Sequence, residues 1–234
     1  PGLRASYTLY DHLSRITEVG QINNASPAIT NAISRNPTQL QNWLNSNITK
    51  RQQVTLTVYD QSAKESFLHK DLSPYIIQQR GNLRNRVSFT LFSKTGDINN
   101  YDYAAFYNYD IHGNADTLLQ DYGATGLLAQ NGGRYKRLTY QYDLIAGKVN
   151  TVSYQPRLYD PVTKKYITQP DAFYHKYSYD AENRLTNVYT STDEVYWEHD
   201  AYYEYYKHGP LARTVLGKQH VQGLDYAYTL QGWL

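Results

Sequence analysis

The chain of 234 residues contains neither cysteine nor methionine. Without cysteine there is no disulfide scaffold, thiol nucleophile, thiolate zinc site or iron–sulfur cluster. Charge of one sign is also missing. The 23 basic and 21 acidic side chains leave a formal net charge of +2, which gives no general pull on nucleic acid or anionic membrane. No run of eighteen apolar residues exists, so no helix is expected to span a membrane. The chain opens Pro-Gly-Leu-Arg, with no initiator methionine and no signal-peptide pattern. Together with the lack of any Met, this leads us to expect a piece of a longer chain. Serine nucleophile elbows and P-loops are absent. Glutamate is scarce, at six residues.

Tyrosine is what the chain has in abundance, with 26 residues. Mean hydropathy is −0.69 although aromatics make up 15% of the chain. A disordered polar chain would be poor in aromatics. A Tyr-rich polar chain suits sheets with wet faces, since Tyr favours strands and its hydroxyl tolerates water. The tyrosines are ordered along the chain. Tyr-Asp pairs occur seven times, at Tyr10-Asp11, Tyr59-Asp60, Tyr101-Asp102, Tyr109-Asp110, Tyr142-Asp143, Tyr159-Asp160 and Tyr179-Asp180, where random placement would give about two. The reversed pair occurs only three times, so order matters.

The residues after each pair also recur. Tyr10-Asp11 leads to Ser14-Arg15-Ile16, Tyr109-Asp110 to Gly113-Asn114-Ala115, and Tyr179-Asp180 to Asn183-Arg184-Leu185. Tyr142-Asp143 leads to Gly147-Lys148-Val149 with one extra residue, and Tyr205-Tyr206 leads to Gly209-Pro210-Leu211 with Tyr in place of Asp. Asp at the first position of a type I turn can bond the backbone two residues on. Gly or Asn at the fourth position can take a positive φ. Such a turn is a common short hairpin connection, and variable spacing around a fixed local motif is a repeat with variable outer loops.

Each unit therefore reads as a β-hairpin. Strands are expected at 5–11, 14–21, 53–60, 84–93, 103–110, 114–120, 134–143, 148–155, 172–180, 184–190, 194–206, 211–216 and 223–229. Leu40, Trp43, Leu44 and Ile48 fit one helical face. Asn36-Pro37 resembles an N-cap with Pro at the first helical position. A helical insertion is thus expected near 37–47, with another short helix at 27–34. Gly123, Gly126, Asn131, Gly132 and Gly133 mark a loop. The fold class is all-β, a single segment of consecutive antiparallel hairpins, with a first hairpin at 1–22, a helical or loop insertion at 23–50 and tandem hairpins over 51–234.

These motifs resemble RHS/YD-repeat proteins, particularly the large repeat proteins of Bacteroidetes-type bacteria. The resemblance rests on Tyr109-Asp-Ile-His-Gly-Asn114, on the run from Tyr177 through Tyr179-Asp180 and Asn183-Arg184-Leu185 to Asn187, on Trp197 to Tyr203, and on Lys207 to Leu234. It covers most of the chain from about residue 84. The resemblance implies a segment of a curved, spiralling shell that encloses or presents a C-terminal domain, a toxin in some members and an adhesion surface in teneurin-like relatives. It further implies a secreted or surface location, and as partners the remainder of the same polypeptide. The terminal plug signature of toxin members is not matched by Asp160-Pro161-Val162-Thr163, so no autoprotease residue is carried over.

No catalytic, cofactor or metal residue is expected, and the segment is expected to be non-enzymatic. An Asp in each turn could serve a metal, but an EF-hand needs several oxygens in one frame, and turn capping is the better account. His199-Asp200 beside Glu198 could form a carboxylate–His pair, yet ordinary strand residues fit as well. The aromatic run Tyr196, Trp197, Tyr202, Tyr203, Tyr205 and Tyr206 admits an alternative function, binding of a glycan or cell-surface partner by ring stacking. Cross-strand stabilisation is the competing reading for those rings.

Overall fold

The computed structural model describes residues 4–72, 77, 79, 82–124, 126–130, 133–160, 164–167 and 169–233. Asn131, Gly132 and residues 161–163 lie outside them. Thirteen antiparallel strands follow one another in chain order. They are β1 Arg4–Tyr10, β2 Ile16–Asn23, β3 Arg51–Tyr59, β4 Val87–Ser93, β5 Tyr103–Tyr109, β6 Ala115–Asp121, β7 Tyr135–Tyr142, β8 Val149–Tyr154, β11 Phe173–Tyr179, β12 Leu185–Ser191, β13 Glu198–Tyr205, β14 Leu211–Leu216 and β15 Gln222–Asp225. Each lies within an expected strand or overlaps one. A separate short hairpin, β9 Leu158–Asp160 with β10 Lys165–Ile167, was not expected. There Tyr159-Asp160 belongs to a strand and not to a turn.

Backbone contacts divide the chain into two compact units, 1–136 and 137–234. In the first, β1 to β6 form a meander. The insertion forms helix α1, Asn31–Arg35, and helix α2, Pro37–Ser46, closed by a 3-10 turn at Ile48–Lys50. Asn36 caps α2 by accepting from the Gln39 amide at 3.1 Å, and Pro37 occupies the first turn, where its missing N–H costs nothing. Trp43 and Leu44 then bury against Tyr7, Ile22 and Ala25. The shorter α1 starts later than the sequence implied, because Thr30 supplies its cap.

The described residues between 61 and 86 form a long excursion over the sheet. Ala63, Leu72 and Ile77 from it pack with Phe89, Leu91, Tyr101, Ala104, Phe106 and Leu119. Gln79 acts as a polar plug. Its Nε2 donates to the carbonyls of Ser88 and Tyr107 at 2.8 and 2.9 Å, and its Oε1 accepts from the Ala63 amide. Within the expected loop after β6, a short helix α3 forms at Leu127–Gln130.

The second unit contains β8 to β15 and most of β7. Among the described residues both apolar core clusters lie in the first unit. The second unit buries mainly Tyr174, Ala172 and Ala201 besides polar residues. Its stability must therefore come from strand pairing and cross-strand side chains. The start of β13 falls at 198 and not at 194, because Asp193 builds a turn: its Oδ1 accepts from the amides of Val195 and Tyr196, and Glu194 takes φ +63°. Strand β15 stops at Asp225 and not at 229, as the chain turns again at Thr229.

Candidate functional site: the YD turns and their neighbours

The repeated turns share one geometry. In the Tyr10, Tyr109 and Tyr179 copies the Asp amide donates to the carbonyl four residues on, at 2.9, 2.9 and 3.0 Å, and the amide three residues on donates back to the Asp carbonyl at 3.0, 3.1 and 3.0 Å. The residue three after Asp takes a positive φ: Ser14 +62°, Gly113 +94° and Asn183 +63°. One carboxylate oxygen accepts from two amides, those of Leu13 and Arg15, of His112 and Asn114, and of Glu182 and Arg184. The other accepts from the side chain four residues on, Arg15 Nε at 2.7 Å, Asn114 Nδ2 at 3.0 Å and Arg184 Nε at 2.7 Å.

The remaining copies vary this frame. Around Asp143 the extra residue widens the turn, with the Gly147 amide donating to the Asp143 carbonyl at 3.0 Å and Gly147 at φ +65°. Tyr206 and Gly209 keep the backbone bonds without a carboxylate. Thr229 makes a further copy that sequence reasoning missed, with Gly232 at φ +81° and Thr229 Oγ1 accepting from the Trp233 amide. At Tyr59-Asp60 the frame is split. The excursion enters there, and Asn85, at φ +60°, returns to give its amide to Asp60. Tyr101-Asp102 makes no hairpin turn; Asp102 accepts from the Lys94 amide ahead of β5.

Electrostatics follow the turn bonds. Partial desolvation raises the Asp11, Asp110 and Asp180 carboxyls, but hydrogen bonds outweigh it and hold all three below the usual carboxylate range. The bonds come from Arg15 on Asp11, from Asn114, Gly113 and His112 on Asp110, and from Arg184 and Glu182 on Asp180. The turns are thus built to keep their Asp ionised.

In four copies the Tyr at the head of the turn reaches to the neighbouring hairpin. Tyr59 donates its hydroxyl to the Ile16 carbonyl at 3.1 Å, Tyr109 to Val87 at 2.8 Å, Tyr179 to Val149 at 2.7 Å and Tyr205 to Leu185 at 2.8 Å. Every acceptor is the first residue of the strand that leaves the preceding turn. Each register slips by one residue there, as between Leu9 and Tyr10 or Ser178 and Tyr179. Such a bulge interrupts the ladder, and a carbonyl left out of it needs another donor. Three of the four tyrosines also carry a guanidinium from the preceding turn: Arg15 lies 4.3 Å over Tyr59, Arg86 5.4 Å over Tyr109 and Arg184 4.6 Å over Tyr205. Arg15 and Arg184 thus pair with their own Asp and stack on the next Tyr. Turn and stitch form one device.

In the first unit, sequence reasoning missed a buried charge cluster. Asp121 is fully buried. It accepts from Lys70, from Tyr101 at 2.6 Å, and from Arg134 Nε and Nη2 at 2.7 and 3.1 Å. The Lys70 ammonium lies 5.0–5.3 Å from the rings of Tyr101, Phe106 and Tyr135. Desolvation lowers the Lys70 pKa against the opposing pull of Asp121. Desolvation raises Asp121, but Arg134, Lys70 and Tyr101 overcome it and keep the carboxyl low. This cluster ties the excursion to the end of β6.

The aromatic candidates do not gather into one patch. Alternation along β13 places Tyr203 and Tyr205 on one face and Tyr202 on the other. Tyr205 is a stitch. Tyr206 sits in a turn, stacked on His208 and donating to the Tyr226 carbonyl. Tyr196, 59% exposed, lies in the Asp193 turn with the Lys218 ammonium 5.0 Å over its ring. Trp197 likewise carries Lys176 at 5.5 Å. Asp200 accepts from Thr190 Oγ1 and Glu198 pairs with Lys218, so neither carboxylate bonds His199. A cleft of about 420 Å³ is lined by Arg137, Thr139, Gln141, Ser153, Pro156, Arg157 and Glu194, polar residues except for the one proline. Among the described residues no three His, Asp or Glu converge as a metal site, and no helix is long and apolar enough to cross a membrane.

No family model and no curated protein matches the chain. Among solved structures it is similar to a porin-like protein from Bacteroides uniformis, with 8% identity, a TM-score of 0.39, and coverage of 96% of this chain and 77% of that one. The TcdB2-TccC3-Cdc42 structure matches at 11% identity and TM-score 0.38, over 92% of this chain and 11% of that chain. A Photorhabdus luminescens Tc holotoxin pore structure matches at 12% identity and TM-score 0.35, over 97% of this chain and 12% of that one. The chain therefore spans about a tenth of the toxin chains it is similar to.

Proposed function

We propose that this chain is a non-enzymatic structural segment of an RHS/YD-repeat shell, one that encapsulates or presents a C-terminal domain in a secreted or surface bacterial protein. One observation carries this reading: the same turn and the same Tyr-to-carbonyl stitch recur in both units with the same atoms. Repeated self-adhesion of neighbouring hairpins is what an extended shell requires, because each hairpin alone is marginal in water. Tyr10 heads the first turn, is 60% exposed, and has no hydroxyl partner among the described residues. It is placed to stitch onto a hairpin supplied by the remainder of the polypeptide.

The alternative is a carbohydrate- or cell-surface-binding module using Tyr196 and Trp197. In its favour, Tyr196 is exposed in a loop; against it, a lysine already covers a face of each ring. Electron microscopy of the longer polypeptide, combined with protease protection of its C-terminal part, tests the shell. Further hairpins on the β1 side and a protected C-terminal domain are expected. A free β1 edge with a fully protease-sensitive C-terminal part would overturn it, and a glycan array response lost in Tyr196→Ala would favour the alternative.

A further inference from the structure

We propose that His199 and His220 form a two-imidazole site for a divalent transition metal of the copper, nickel or zinc class. His199 Nδ1 and His220 Nε2 face each other at 3.4 Å. Two imidazole nitrogens bound to one tetrahedral zinc at about 2.0–2.1 Å stand about 3.3 Å apart by simple geometry, so the pair already has the spacing of a chelate.

The ring of His199 and the backbone of His220 are held from outside the pair. His199 stacks on Tyr189 at 4.7 Å and meets Tyr202 edge-on. His220 sits on the tight turn after β14, where it takes φ +55° and its amide donates to Gly217 at 2.8 Å. That turn is fastened to β13 twice more, by the Gly217 amide on the Asp200 carbonyl at 2.8 Å and by Lys218 on Glu198 at 2.6 Å. A metal bound by both nitrogens would clasp the turn to β13. Imidazole donors select copper, nickel and zinc over calcium and magnesium, which require oxygen. No third His, Asp or Glu joins them among the described residues, so water completes the shell. His199 Nε2 lacks an outer-shell acceptor that would fix the ring, so the expected affinity is about 10–100-fold below that of a site with an anchored imidazole.

The test is titration of the intact chain with Cu(II), Zn(II) and, separately, Ca(II), followed by calorimetry and by the imidazole nitrogen signals in NMR. One equivalent of Cu(II) or Zn(II) is expected to bind, Zn(II) shifting and paramagnetic Cu(II) broadening the nitrogen signals of His199 and His220, with no response to Ca(II). Binding should weaken at least tenfold in His199→Ala and in His220→Gln, and persist in His175→Ala. His220 lies in an exposed turn, so its variant reads the site even if His199→Ala perturbs the sheet. Absence of saturable binding below millimolar metal, or binding untouched by His220→Gln, would overturn the proposal.

Discussion

At the residue scale, an Asp at the head of a turn does three jobs: it accepts two amides, pairs the side chain four positions on, and through Arg15 or Arg184 steadies the ring of the next Tyr. These carboxyls are depressed in the folded chain. A depressed acid contributes stability that is fully present above its unfolded value, near 3.9, and lost as pH falls through the folded value below that. Protection of the amides of Arg15, Asn114 and Arg184, measured against the intrinsic exchange rate at each pH, is therefore expected to stay high at pH 5–7 and to fall below about pH 4. Protection that is flat through that range would contradict the assignment. Asn183→Ala forces an alanine into φ +63° and should cost about 1–2 kcal/mol in a denaturation midpoint, whereas Asn183→Gly should not. The turn chemistry was legible in the sequence because it is local. Asp, the positive-φ residue and the Arg sit within five positions.

At the scale of elements, legibility was uneven for a physical reason. Strands bounded by Asp-led turns were readable, and so was α2 with its Asn36-Pro37 start. The stitches were not, because their acceptors are backbone carbonyls 43, 22, 30 and 20 residues away. A carbonyl carries no residue identity, and the irregular separations hide the rule. The ion cluster was invisible likewise, since Lys70 and Asp121 are 51 residues apart. The turn at Asp193 was hidden because Val195, Tyr196 and Trp197 read as strand by propensity, while the hydrogen bonds of one carboxylate decide otherwise. Asp121→Asn removes the charge that compensates Lys70 and Arg134. A loss of about 3 kcal/mol is expected, the lower part of the range for breaking a buried pair, because both cations keep some contact with solvent. Urea denaturation followed by the fluorescence of the first unit would measure it, and proteolysis should shift toward residues 61–86.

At the scale of the whole molecule, the chain is a series of hairpins joined by tyrosine hydroxyls and guanidinium stacks, which add to two apolar clusters in the first unit and take the place of a thick apolar core in the second. The strands β1 and β15 end the order of pairing. Unpaired strand edges are templates for association. Light scattering is expected to show mass rising with concentration, and a clean monomer at all concentrations would contradict this. The tyrosine excess, at first a matter of composition, becomes on this account a count of stitches and cross-strand contacts. The most direct measurement is Tyr→Phe substitution at Tyr59, Tyr109, Tyr179 and Tyr205, compared with Tyr203, followed by chemical denaturation. Each of the four should lose about 0.5–1.5 kcal/mol, the net worth of one hydrogen bond, while Tyr203→Phe should lie near zero. Equal, negligible losses at all five positions would contradict the claim that these hydroxyls hold one hairpin to the next.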